Sequence, residues 1–176
     1  GYFFVGVLNG MVRNYNSAIE AYNKAIMLNH DFAFAYLNRA NTRLQLLDES
    51  SDADDFLNSV TIGGSKGVQE NFGNESVDYN PIMKDYDRVI ALKPDLAIAW
   101  FNRGNVKARM GLYNEAVQDY DKALELEERL GEAHFNRALL LIYLKRNEEA
   151  CKDLSRAGEL GIRNSYNLIK RYCEQE

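Results

Sequence analysis

Proline is scarce: the 176-residue chain carries two. Proline interrupts helices wherever it falls inside them, so its near-absence leaves long helical stretches open. Cysteine is equally rare. Cys151 and Cys173 stand alone, 22 residues apart, with no CxxC spacing and no histidine cluster, which excludes the usual zinc arrangements. They read either as two reduced, buried thiols or as neighbours able to form a disulfide if the last helix docks on the one that carries Cys151. Only two histidines occur, His30 and His134, neither beside a serine or cysteine. No nucleophile elbow and no acid pair on an element of known geometry is present, so an enzyme is not expected. Glu127-Glu128 and Glu148-Glu149 read as solvated helix ends.

Long apolar runs are missing too. None approaches the roughly twenty residues needed to cross a bilayer. The opening GYFFVGVLNGMV lacks the basic front end and small-residue cleavage site of a signal peptide. It begins with Gly rather than Met, so a leader cut away upstream stays open, with the cytoplasm as the default compartment. A surplus of positive charge is also absent: the net charge is −5, against nucleic acid as a partner. No metal and no cofactor are expected.

What the chain does have is a period. Residues 97–130, AIAWFNRGNVKARMGLYNEAVQDYDKALELEERL, contain two helical patterns broken at Gly111–Asn114. Moved forward 34 places, the pattern returns. Trp100 meets His134, Phe101 meets Phe135, Asn102-Arg103 meets Asn136-Arg137, Gly104 meets Ala138, Ala116 meets Ala150, and Ala123 meets Ala157. Near the N-terminus Tyr2, Gly6, Tyr15, Ala18, Tyr22, Ala25 and Leu28 take the slots of Trp100, Gly104, Tyr113, Ala116, Tyr120, Ala123 and Leu126. Antiparallel helices approach to about 8–10 Å only where facing side chains are small. Gly104, Ala116 and Ala123 supply that closeness, and the aromatic slots fill the flanks.

This pattern resembles the tetratricopeptide repeat (TPR) family over nearly the whole chain. The resemblance implies an all-α fold, a right-handed α-solenoid of antiparallel helix hairpins with a C-terminal capping helix. Residues 1–176 then form a single domain: 1–32 repeat 1; 33–96 repeat 2, interrupted by an acidic insertion at 48–78; 97–130 repeat 3; 131–163 repeat 4; and 164–176 the cap. In the cap, Leu168, Ile169 and Tyr172 are expected inward, and Asn167, Lys170, Arg171 and Glu174 toward water.

The insertion holds eight carboxylates and one lysine. Asp52-x-Asp54 lacks the further ligands of a calcium loop, because Phe56 and Leu57 stand in their places. Gly63–Gly67 lacks phosphate-loop spacing. Asn74-Glu75-Ser76 is a formal glycosylation sequon, and residues 54–60 suit a short helical turn. A loop of this length reads as a mobile acidic segment or as a flap on the groove rim. The helix before it is expected to end near Leu47. Asn16, Asn114 and Asn80 are expected to cap the second helices, with Pro81 at the first helical position.

In the family the first helix of each hairpin lines the concave side, and an asparagine there resembles the row that grips extended peptides. Asn38, Asn102 and Asn136 share that slot, with Phe4 there in repeat 1. Asn41 and Asn105 follow one turn on, then Gln45, Arg109 and Tyr143. Together these form the expected groove for a protein or peptide partner. A carboxamide both donates and accepts, so it pairs with a peptide unit irrespective of side chain. The slots that hold chaperone tails in some relatives carry Phe3, Leu37, Phe101, Ile98 and Asn102 instead of basic residues. Arg39, Arg103 and Arg137 follow the asparagines, their heads expected to reach carboxylates of the insertion or of a ligand. The first helix is apolar nearly all round, so Phe3, Phe4, Val7 and Met11 are expected to meet an upstream repeat or another copy.

Overall fold

The structure is a computed structural model that describes residues 1–50 and 77–174. The expectations for Asp52, Asp54, Gly63–Gly67, Asn74 and the turn at 54–60 lie outside the described residues. Among those described, every regular element is helical: α1 Tyr2–Met11, α2 Tyr15–Leu28, α3 Ala33–Ser50, α4 Asn80–Leu92, α5 Ala97–Arg109, α6 Tyr113–Leu126, α7 Gly131–Tyr143, α8 Asn147–Glu159 and α9 Asn164–Tyr172. None is long and apolar enough to cross a membrane. The fold class is the expected one, all-α and built of antiparallel hairpins. Two compact units divide within α5, one of residues 1–50 with 77–99 and one of residues 100–174.

One burial pattern builds all four second helices. α2 buries Ala18, Ala21, Tyr22 and Ala25; α4 buries Ile82, Asp85, Tyr86 and Val89; α6 buries Ala116, Asp119, Tyr120 and Ala123; α8 buries Ala150, Asp153, Leu154 and Ala157. Positions i, i+3, i+4 and i+7 make one face of a helix, the face turned to the hairpin partner. The glycine of the first helix is needed for close approach. A Cβ on Gly104 would stand 2.8 Å from a ring carbon of the buried Tyr120, and one on Gly6 would stand 2.5 Å from Tyr22.

In the first unit α1 packs on α2, α2 on α3, and α3 on α4. Phe3 lies 4.8 Å from Phe32, ring to ring, beside Ala25, Ile26 and Ala35. In the second unit Phe101, Val117, Leu124, Leu139, Leu140, Leu141 and Leu154 share one core, which Leu168 of α9 closes. Ile169 and Tyr172 pack against that core, while Asn167, Lys170, Arg171 and Glu174 are exposed, as the cap required.

Two details differ from the expectation, and two that it left open are resolved. α3 runs three residues past Leu47, which brings the Glu49 carboxylate to 3.1 Å from Arg13 and 3.2 Å from the Tyr15 hydroxyl. The acidic insertion therefore starts as helix rather than loop. Second, α2 and α6 begin one residue before the slots assumed for their caps, and α4 begins on its own: Asn16, Asn80 and Asn114 lie inside the helices. A tyrosine opens α2 and α6, and at α4 it is Asp78 that accepts the Asn80 backbone N–H, at 3.0 Å. Third, Cys151 and Cys173 form a disulfide. α9 docks on α8, so of the two readings left open by the sequence the paired one is found. Fourth, the arginine heads reach carboxylates, as expected, and among the described residues these include aspartates of the partner helices.

Candidate functional site

Arginine heads in the slot after each asparagine end on a buried aspartate of the partner helix. Arg103 donates to Asp119 from Nε at 2.8 Å and from a terminal nitrogen at 2.7 Å, and Lys107 adds a third cationic contact at 2.9 Å. Arg137 grips Asp153 in the same fork at 2.7 Å. In the first unit Arg39 and Arg43 share Asp85. Asp85, Asp119 and Asp153 recur every 34 residues. Repeat 1 has Val5 and Ala21 in the two slots, an apolar pair in place of an ionic one. Asp119 is 3% exposed, so its charge is affordable only with these partners. Burial alone would raise the Asp153 carboxyl, but hydrogen bonds from Arg137 and His134, with their charges, hold it below the usual aspartate range. Two of the arginines also reach the preceding hairpin: Arg137 meets Asp121 of α6, and Arg39 meets Asn23 of α2, both at 2.6 Å. His134 is a packing residue, 2.8 Å from Asp153 and 3.1 Å from the Glu128 carbonyl.

The carboxamides form the other set. In the second unit Asn136 Nδ2 donates to Asn105 Oδ1 at 3.0 Å, joining α7 to α5. The same oxygen accepts from the buried Tyr120 hydroxyl at 2.6 Å. Asn105 is thus anchored from below and presents Asn136 above it. Asn102 lies one turn earlier on α5, half-buried, and Arg109 is half-buried near its end. Tyr143 is 39% exposed, its ring set edge-on to Tyr113 at 4.6 Å. The first unit repeats the anchor: Tyr86 donates to Asn41 Oδ1 at 2.6 Å. Asn38 Nδ2 turns back to the Phe34 carbonyl of its own helix at 2.8 Å, and Gln45 is exposed. The tyrosine anchors and the aspartate row were missed in the sequence, although both obey the same 34-residue period.

On α1 and its C-cap residue Val12, the side chains of Phe4, Val5, Leu8, Met11 and Val12 are between 47% and 77% exposed. Their spacing makes one continuous stripe. Phe3 and Val7, expected on that stripe, are half-buried, and Phe3 packs inward on Phe32 and Tyr22. No cluster able to hold a metal ion exists among the described residues.

Hairpins with small-residue contacts and an asparagine row define a class of helical-repeat interaction proteins. Residues 97–130 match the family model of the tetratricopeptide repeat. The fold of the chain is that of a solved MamA crystal structure, with TM-score 0.69, 18% identity, and coverage of 94% of this chain and 79% of that one. It is also similar to MamA residues 41 to the end from Desulfovibrio magneticus RS-1, with TM-score 0.66, 12% identity, and coverage of 90% and 73%. The first TPR of Spaghetti (RPAP3), solved bound to the HSP90 peptide SRMEEVD, matches with TM-score 0.52, 22% identity, and coverage of 55% and 78%. No curated protein matches the sequence.

Proposed function

We propose that this protein–protein interaction module holds an extended peptide segment of a partner along the first-helix face that carries Asn102, Asn105 and Asn136, without catalysis. The observation that carries the reading is the Asn136–Asn105–Tyr120 chain. It fixes a carboxamide in place by bonds from a buried hydroxyl, so little side-chain freedom is lost when a peptide unit pairs with it. Neighbouring first helices stand roughly 10 Å apart. An extended peptide advances about 3.3 Å per residue, so one carboxamide meets every third peptide unit. Arg109 and Tyr143 extend the same surface in this reading, and Asn38, Asn41 and Gln45 fill the matching repeat slots of the first unit.

A neighbour of this fold is bound to an HSP90 peptide, SRMEEVD. That peptide is acidic, and the basic residues suited to it are replaced here by Phe3, Leu37, Ile98, Phe101 and Asn102. A ligand recognised through its backbone fits better than an acidic tail.

Peptides selected on the protein from a random library test the reading. Replacing Asn102 and Asn136 together with Ala removes two hydrogen bonds, each contributing about 0.5–1.5 kcal/mol, and weakens such peptides roughly fivefold to a hundredfold. Unchanged affinity in a variant with unchanged thermal stability rejects it.

The apolar stripe of α1 favours a second reading, in which the chain is a structural segment that assembles with further repeats or another copy through Phe4, Val5, Leu8 and Met11. Leu8→Lys leaves the hairpin folded, since Leu8 is 64% exposed, and disperses any assembly measured by light scattering. A wild-type chain that is strictly monomeric at high concentration rejects this alternative.

A further inference from the structure

The one disulfide among the described residues ties the segment just after α9 to α8. Cys151 lies on α8, and Cys173 follows α9 directly. Non-covalent hold on α9 is thin. Its nine residues fall short of the roughly 12–15 at which even a favourable isolated helix is marginal in water. Only Ser165 and Leu168 are buried, and the Ser165 hydroxyl has no hydrogen-bond partner, so one of the two opposes docking. Tyr166 is 60% exposed; it reaches the stack by its ring edge over Gly158 and by its hydroxyl, which donates to the Gly158 carbonyl at 3.3 Å. Ile169 and Tyr172 are half-covered. A disulfide closing a loop of 22 residues shifts an equilibrium of this kind by roughly two orders of magnitude. Both cysteines are half-buried, so a small thiol reaches the bond.

We propose that the Cys151–Cys173 disulfide is a redox latch on α9. Oxidised, it keeps α9 on α8. Reduced, it lets α9 leave and uncovers the apolar side of α8, where Ala150 and Leu154 share a cluster with Leu168. The register gives that surface its meaning. Leu168 stands 34 residues after His134 and 68 after Trp100, so α9 sits where the first helix of a further hairpin belongs. Undocking opens a helix-sized vacancy of the kind the repeat fills elsewhere. The chemistry is thiol–disulfide exchange with a dithiol. Its thiolate attacks one sulfur, a mixed disulfide forms, and the second thiol releases it. Two cysteine thiols and one oxidised dithiol result, with two electrons and two protons passed to the protein.

Hydrogen exchange of the whole chain, read by mass spectrometry with and without excess dithiothreitol, tests the latch. Amides of 164–172 are expected to exchange roughly a hundredfold faster after reduction, while those of α5 to α7 stay unchanged. The Cys151→Ser/Cys173→Ser variant is expected to exchange fast in both conditions. Three results overturn the proposal: a sulfur pair that dithiothreitol does not reduce in the native protein; slow exchange of 164–172 in both the reduced protein and the double variant; or loss of protection over all of 100–174 at once, which makes the bond a global staple.

Discussion

Asp119 concentrates the risk of this fold in one carboxylate. Arg103 and Lys107 both spend their charge on it in a nearly dry site. Asp119→Ala removes the buried carboxylate that Arg103 and Lys107 share, and the expected loss is about 3–5 kcal/mol in urea unfolding. A loss under 1 kcal/mol would mean that water reaches the site. Asp153 adds a pH dependence whose sign is fixed. Its folded pKa lies below its unfolded one, near 4. Its contribution is therefore complete above the unfolded value and disappears as pH falls through the folded one. Asp153→Asn is less stable than the parent at neutral pH, and the gap narrows on acidification below about pH 4. A constant gap contradicts the assignment. Gly104→Ala puts a methyl against a fully buried tyrosine ring with the Ala116 carbonyl at 3.3 Å behind it, and is expected to cost about 1–3 kcal/mol.

At the scale of elements, the period made the hairpins legible because small residues mark where helices touch. Helix starts were misjudged because asparagine is a good cap in isolation, yet here no second helix has a side-chain cap bond at its N-cap residue. Tyr15 and Tyr113 take over as the first helical residues, anchored by contacts that a local reading does not contain. The aspartate row was equally periodic but chemically ambiguous: an aspartate in a helix reads as solvated until an arginine from the neighbouring helix is found over it. The disulfide depended on whether α9 docks, which spacing alone left open. Asn105 and Asn136 were legible as a pair on one face; the tyrosine hydroxyl that anchors them was not, since a tyrosine in a small-residue helix reads as filler.

Across the whole molecule, the arginine–aspartate pairs measure the interruption of repeat 2. Arg103 and Arg137 lie 16 residues from their aspartates, and Arg39 lies 46 from its own. Thirty residues were added between two halves that still pair. Removing residues 49–78 restores the spacing, and the shortened chain is expected to fold. The turn then formed places Leu47 in the slot of Arg13, Gly111 and Lys145, all of which have positive φ. A leucine is strained there, so Leu47→Gly in the shortened chain is expected to raise stability by about 1 kcal/mol. A shortened chain that fails to fold with either residue contradicts this register.

The most direct test of the account concerns the carboxamides themselves. Side-chain NH₂ resonances of Asn102, Asn105 and Asn136 can be followed by NMR as a library-selected peptide is added. The account predicts that these three shift together and saturate at one peptide per chain. Shifts confined to the exposed faces of α6 and α8, with the three amides unmoved, would contradict it.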